Sequence, residues 1–146
     1  MFPVNLEIAR CGCSAVAIDE HEIYIIGGNG GGQILDSVEI LNISTQTIQQ
    51  GPPMLESRTE FAAALIGDSI VVTGGWPGQS YTSTCEQLSI RVDSDEEARR
   101  WQPLNSMSKE RGYHHGLPFG NCMVVVGGFN NGSPALRTTE VWNGAT

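Results

Sequence analysis

The chain has 146 residues, of which 40% are apolar and 16% charged, and its 16 acidic against 8 basic residues give a net charge of −8. Without a cluster of Lys and Arg it lacks the surface that binds a phosphate backbone, and no apolar stretch approaches the ~18 residues of a membrane-spanning helix. We therefore predict no nucleic-acid partner and no membrane partner. The first residues have neither the basic end nor the apolar core of a secretory signal, and four cysteines are too few for a disulfide scaffold, so we expect a cytoplasmic protein.

Short apolar runs that end in a double glycine recur along the chain, at 23–28, 70–75 and 123–128. The runs are rich in Val and Ile and are bounded by Gly, Asn, Ser and Pro, which is typical of β-strands. No window shows the apolar periodicity of a helix. We predict four strands in each period, and in the second period these strands lie at 62–66, 70–73, 84–88 and 101–104. The second strand is apolar at successive positions, as expected of a strand buried on both faces.

Two charged residues keep nearly the same position in every period. An arginine stands 16 or 17 residues before the first glycine of the pair, at Arg10, Arg58 and Arg111. A glutamate follows 11 or 12 residues after the second glycine, at Glu39, Glu86 and Glu140. Internal repeats of this length indicate a repeat architecture in which each period is one structural unit.

These landmarks, with the Pro-Pro-Met that precedes Arg58, resemble kelch repeats, and the resemblance covers nearly the whole chain. It implies an all-β fold, an incomplete kelch β-propeller of about three four-stranded antiparallel blades. The predicted kelch blades are 10–57, 58–110 and 111–146, with 1–9 as the tail of a preceding blade and the last strand of the third blade missing. Because propellers close with roughly four to eight blades, the chain is either a piece of a longer propeller or a homodimer that closes a six-bladed ring.

The resemblance also implies which residues contact a partner. In kelch-type substrate adaptors of cullin ubiquitin ligases, the arginine that heads a repeat grips an acidic peptide; the matching positions here are Arg10, Arg58 and Arg111. The alternative is structural, because a guanidinium also binds neighbouring carbonyls and carboxylates. The residues that directly follow the double glycines are further candidates, since exposed aromatic rings on loops anchor partners: Asn29, Trp76 and Phe129. For these residues the alternative is a ring that folds over its own blade.

Other motifs that suggest chemistry fail on inspection. The glycine run at 27–32 is not followed by the Lys-Ser/Thr of a phosphate-binding loop, so we predict no cofactor. Cys11 and Cys13 have no second cysteine pair at zinc spacing, and His114 occupies a packing position of the repeat, so we predict no metal site. The acidic run at 93–97 lies in an insertion and is interpreted as a solvated loop, with a docking loop as the alternative.

We therefore predict a non-catalytic kelch module that binds another protein or peptide through its blade loops. Substrate recognition for a cullin-type ubiquitin ligase is the specific form of this hypothesis. One alternative is a cytoskeleton-linking, actin-binding or extracellular kelch interaction protein. Another is an enzyme built on the same propeller, which would need converging metal ligands or acid–base groups, and the Tyr and His residues form no such pattern.

Overall fold

The computed structural model describes residues 4–91, 99–132 and 134–143, and within these ranges it contains thirteen strands and no helix. No described helix could therefore cross a membrane. The acidic run at 93–97 lies outside the described residues. The prediction of an all-β chain of antiparallel sheets is confirmed.

The strands form one sheet for each sequence period, and we call these sheets blades 1, 2 and 3. In blade 1, β1 (Ser14–Ala17) and β2 (Glu22–Ile26) precede a short hairpin of β3 (Asn29–Gly30) and β4 (Gln33–Ile34), which is followed by β5 (Val38–Asn42) and β6 (Thr47–Gln50). Blade 2 contains β7 (Ala62–Ile66), β8 (Ser69–Thr73), β9 (Cys85–Ser89) and β10 (Gln102–Leu104). Blade 3 contains β11 (His115–Phe119), β12 (Cys122–Val126) and β13 (Thr139–Trp142).

Neighbouring strands within each blade are antiparallel and mostly follow chain order. Blade 1 has the order β1-β2-β5-β6, blade 2 the order β7-β8-β9-β10, and blade 3 the order β11-β12-β13. In blade 2 the bounds of the four strands differ from the predicted ones by at most one residue. The β3–β4 hairpin was not predicted, because its glycine-rich sequence is typical of an irregular loop.

The blades pack face to face through apolar side chains of their middle strands. Ile70 and Val72 of β8 are fully buried against blade 1, while Val71, on the opposite face of the same strand, packs in the core shared with blade 3. This arrangement confirms the expectation that the second strand is buried on both faces. The first strands β1 and β11 both lie against β7, so the inner edges of the three sheets gather on one side, as blades do around a propeller axis.

The double glycine of one blade is in close contact with the segment that begins the next blade. Gly74 has a φ of +63°, and a Cβ atom placed on it would lie 2.4 Å from the carbonyl oxygen of Arg111 in blade 3. The N–H group of Gly75 donates to that same carbonyl at 2.8 Å. Only glycine combines the left-handed backbone with this approach. The repeated double glycine therefore fixes the contact between consecutive blades.

Candidate functional site

The arginine of each repeat lies inside its own blade. Arg58 is 1% exposed, and its Nη1 donates to two carbonyl oxygens, the nearer on Gly74 at 2.6 Å. Arg10 and Arg111 donate to the carbonyl of the matching glycine in their own blades, each at 2.9 Å. The planar guanidinium holds the double-glycine turn in place, because its parallel N–H groups reach two carbonyls at once.

The same guanidinium also binds the repeated glutamate. Nη2 of Arg58 lies 2.9 Å from the Glu86 carboxylate, and the two side chains are 1% and 3% exposed. The carboxylate in turn accepts the backbone N–H of Leu55, at 2.7 Å, from the segment that precedes the arginine. The other two blades contain the equivalent pairs, Arg10–Glu39 and Arg111–Glu140. Each pair joins the third strand of a blade to the segment that enters it.

The sequence prediction did not identify this pairing, although 28 or 29 residues separate the two partners in every repeat. These contacts match the alternative in which each arginine binds carbonyl and carboxylate groups of its own blade. Direct contact between Arg10, Arg58 or Arg111 and an acidic partner stays a prediction.

The residues after the double glycines lie at one end of the blades, beside the segments that follow the arginines. Trp76 and Thr59 exchange two backbone hydrogen bonds, at 2.8 and 3.1 Å. The equivalent bridges in the other blades join Asn29 to Cys11 and Phe129 to Gly112. We call this end of the blades the loop face. Its backbone is tied together by these bridges, so its side chains project from a fixed frame.

The residue two positions after each arginine has a left-handed backbone. The φ angles are +60° at Gly12, +56° at Glu60 and +54° at Tyr113. These residues also link the blades, because the N–H of Glu60 donates to the carbonyl of Gly12 at 2.9 Å and the N–H of Tyr113 to that of Glu60 at 2.8 Å. A left-handed backbone at a non-glycine residue stores strain that is typical of functional sites. This position was not predicted from the sequence, although its constant offset from the arginine was an available signal.

Four aromatic side chains form a continuous row across the loop face of blades 2 and 3. Trp76 packs edge-on against Tyr81 with ring centroids 5.1 Å apart, Tyr81 lies 6.5 Å from Tyr113, and Tyr113 lies 6.0 Å from Phe129. We call these residues the aromatic row. Tyr113 is 56% exposed and Phe129 44% exposed, whereas Trp76 is half-buried. The structure thus brings two predicted site residues together with two tyrosines that were not predicted.

Tyr81 is held in the aromatic row by contacts with blade 3. A Cβ atom on Gly112 would lie 2.5 Å from the Tyr81 ring, so the ring packs directly on the glycine backbone. The side chain of Asn131 accepts the N–H of Tyr81 at 2.7 Å and donates to its carbonyl at 3.0 Å. These contacts fix the ring between the two blades. Asn29, the third predicted residue of this set, lies in blade 1 and borders the hollow that Trp76 and Tyr81 also line.

One titratable side chain near the loop face, that of His114, is buried between blades 2 and 3. His114 is 5% exposed, and its Nε2 lies 3.0 Å from the Thr73 hydroxyl in blade 2. Burial, assisted by the nearby Arg111 charge, lowers the pKa of His114 to about 4. Among the described residues, no three or more His, Cys, Asp or Glu side chains come together in a way that could hold a metal ion.

The fold and this arrangement of loops define the chain as a set of β-propeller blades. Residues 9–55 match the family model of the Kelch motif. The chain is 34% identical to the kelch repeat-containing protein kel-10 of Caenorhabditis elegans over 134 residues, which cover 88% of this chain and 22% of that protein. It is 30% identical to Kelch-like protein 23 of Homo sapiens over a match that covers 77% of this chain and 20% of that protein.

Two further comparisons agree. Kelch repeat and BTB domain-containing protein 2 of Cowpox virus is 33% identical over 64% of this chain and 16% of its own length. The solved structure of YjhT has the same fold, with a TM-score of 0.74 and 18% identity over 94% of this chain and 43% of that one. The chain belongs to the kelch-repeat family, as its sequence predicted. It spans about a fifth of the length of the curated relatives it matches.

Proposed function

We propose that the chain is a non-catalytic interaction module that binds another protein through its loop face. The observation that supports this proposal is the partly exposed aromatic row, with Tyr113 56% and Phe129 44% exposed. Large aromatic side chains dominate binding free energy when a partner removes them from water. Single exposed apolar residues are common on protein surfaces, but a row of touching rings is not.

The rigidity of the loop face supports the same function. Backbone bridges hold the loops, and the side chain of Asn131 holds the backbone of Tyr81, so little conformational entropy is lost when a partner binds. The loops that follow the double glycines differ in sequence between blades, while the strands repeat. This division is typical of a scaffold that presents a variable binding surface.

The specific form of the proposal is substrate recognition for a cullin-type ubiquitin ligase. It is supported by relatives whose names combine kelch repeats with a BTB domain. We place the protein in the cytoplasm, which suits four cysteines that are all free. Co-purification of a cullin with the complete gene product tests this form, and its absence would contradict the adaptor role while leaving the interaction module in place.

Site-specific photo-cross-linking tests the interaction module itself. A photoreactive side chain replaces Tyr113 on the loop face or, as the control, Glu20 in the turn between β1 and β2 at the opposite end of blade 1. We expect a protein to be captured from the first position and not from the second. The captured protein must then bind the purified chain, more weakly when Phe129 is changed to Ser. Equal capture from both positions would contradict the proposal.

A further inference from the structure

One carboxylate on the loop face differs from the glutamates of the repeat. The side chains of Glu39, Glu86 and Glu140 are each paired with an arginine. Glu60 forms no ion pair with any described residue, and none of the described hydrogen bonds involves its carboxylate. A partly exposed carboxylate without a cation is free to pair with one from another molecule.

Glu60 borders the aromatic row. With Tyr113 it lines two neighbouring hollows of the loop face, one completed by Trp76 and Tyr81 and the other by His115. The negative charge of Glu60 raises the pKa of Tyr113, which places the carboxylate near the phenol. A Cβ atom on Gly12 would lie 2.4 Å from Oε1 of Glu60, so the carboxylate lies against blade 1 and extends toward the hollow between the blades.

Among the residues that the structure describes, no lysine or arginine lines either hollow. The repeat arginines are occupied inside their blades, and the basic residues Lys109 and Arg137 lie outside both linings. His114 is kept neutral by its burial. The charge available to a ligand at this place is therefore negative, as is the net charge of −8 for the whole chain.

From this combination we infer that the aromatic row and Glu60 form a binding site for a cationic side chain, best an arginine, on a basic segment of the partner protein. The inference rests on the proposed function and specifies the chemistry of its partner. The faces of aromatic rings attract cations, and a guanidinium also stacks on a ring while it donates two hydrogen bonds to a carboxylate. An acidic segment would find neither lysine nor arginine in the described lining and would be repelled by Glu60.

A titration with defined peptides tests this site. Short peptides that are identical except for central arginine, glutamine or glutamate residues are added to the isotope-labelled chain, and NMR shifts give each Kd. We expect the arginine peptide to bind at least about tenfold more tightly than the other two, and Glu60→Gln to remove about that factor. Glu20→Gln removes the same charge far from the site and is expected to leave the Kd unchanged.

The ring at position 113 has its own pair of variants. Tyr113→Phe keeps the aromatic face and should keep the affinity for the arginine peptide, whereas Tyr113→Leu should lower it severalfold. Equal binding of the three peptides, binding of none, or an unchanged Kd for Glu60→Gln would overturn the inference. If photo-cross-linking at Tyr113 still captured a protein in that case, the proposed function would stand with a partner of different charge. If that capture also failed, both would be wrong.

Discussion

Arg58 and Glu86 are charged side chains in the interior of a blade, and their burial costs hydration free energy. That cost is offset in part by short contacts of the two terminal nitrogens: the guanidinium binds Glu86 at 2.9 Å and the carbonyl of Gly74 at 2.6 Å, while the buried Nε has no partner among the described residues. Replacing both partners of a buried ion pair with apolar residues often changes the free energy of unfolding little. Removing only one partner is strongly destabilising, because the other charge stays buried and uncompensated. The repeat therefore needs both residues together.

Arg58→Ala should lower the free energy of unfolding by about 3–5 kcal/mol, because it leaves Glu86 buried without its cation. Urea unfolding measures this loss. The control is Arg91→Ala. The side chains of Arg91 and Asp68, which form an ion pair, are 79% and 55% exposed, so this pair should contribute less than about 1 kcal/mol.

If Arg58→Ala does not fold, Arg58→Lys keeps the charge but loses the forked geometry, and an intermediate loss is expected. An Arg58→Ala variant as stable as Arg91→Ala would contradict the structural role. If that variant also lost its partner, the arginines would instead act by direct contact.

His114 should make stability depend on pH. Its pKa is lowered to about 4 in the folded chain, from an ordinary value of 6.5. Between these values the unfolded chain binds a proton that the folded chain does not, so the free energy of unfolding falls as the pH is lowered from 6.5 to 4. The fall contributed by His114 is on the order of 3 kcal/mol.

Urea unfolding across this pH range measures the contribution of His114 by comparison of two variants. His114→Gln should flatten the pH dependence, while Arg91→Ala, which keeps the histidine, serves as the control. Parallel curves for all three proteins would contradict the assignment.

The double-glycine turn combines a left-handed backbone with close packing against a neighbouring segment of the same blade. In Gly75 a φ of +98° coincides with two close contacts: an added Cβ would lie 2.7 Å from the Cβ of Phe61 and 2.7 Å from the carbonyl oxygen of Thr59. Gly67, in the turn between β7 and β8, also has a left-handed φ, +58°, but nothing lies within 4 Å of an added Cβ. A comparison of alanine variants at these two glycines therefore distinguishes the cost of backbone strain from the cost of overpacking.

Gly67→Ala should therefore cost about 1–2 kcal/mol, from backbone strain alone. Gly75→Ala should cost about 1–3 kcal/mol more, because overpacking adds to the strain. Thermal or urea unfolding of the two variants gives the difference directly. Equal losses would show that the double glycine serves the turn and not the contact between segments.

Sequence periodicity was enough to predict the strands of the blade sheets, although not the β3–β4 hairpin, because a double glycine after an apolar run marks the end of each second strand. It was not enough for the binding surface. Tyr81 and Tyr113 are ordinary loop residues in the sequence, and they meet only because β-bridges and the contact of Tyr81 with Gly112 bring two blades together. Likewise, Glu60 has a left-handed backbone that favours glycine, and the only sign of it in the sequence is an offset from Arg58 that matches the offset of Gly12 from Arg10.

Across the whole molecule, the stacking of blades explains an exposed apolar face on blade 3. Leu117, Val124 and Val141 form one row across its strands, and the two outer members are 58% and 66% exposed. The equivalent residues of blade 1, Val16 and Ile40, are 6% exposed because blade 2 covers them. An apolar face of this kind is suited to packing against a further blade. The homodimer that would close a six-bladed ring stays a prediction.

The central claim is that the loop face is where a partner protein binds. Amide hydrogen exchange of the chain, free and bound to the protein captured at Tyr113, tests it most directly. We predict slower exchange at 58–61, 74–84 and 111–114, with no change in the turns at the opposite end of the blades, 17–22, 66–69 and 119–122. Protection confined to those opposite turns would contradict the claim.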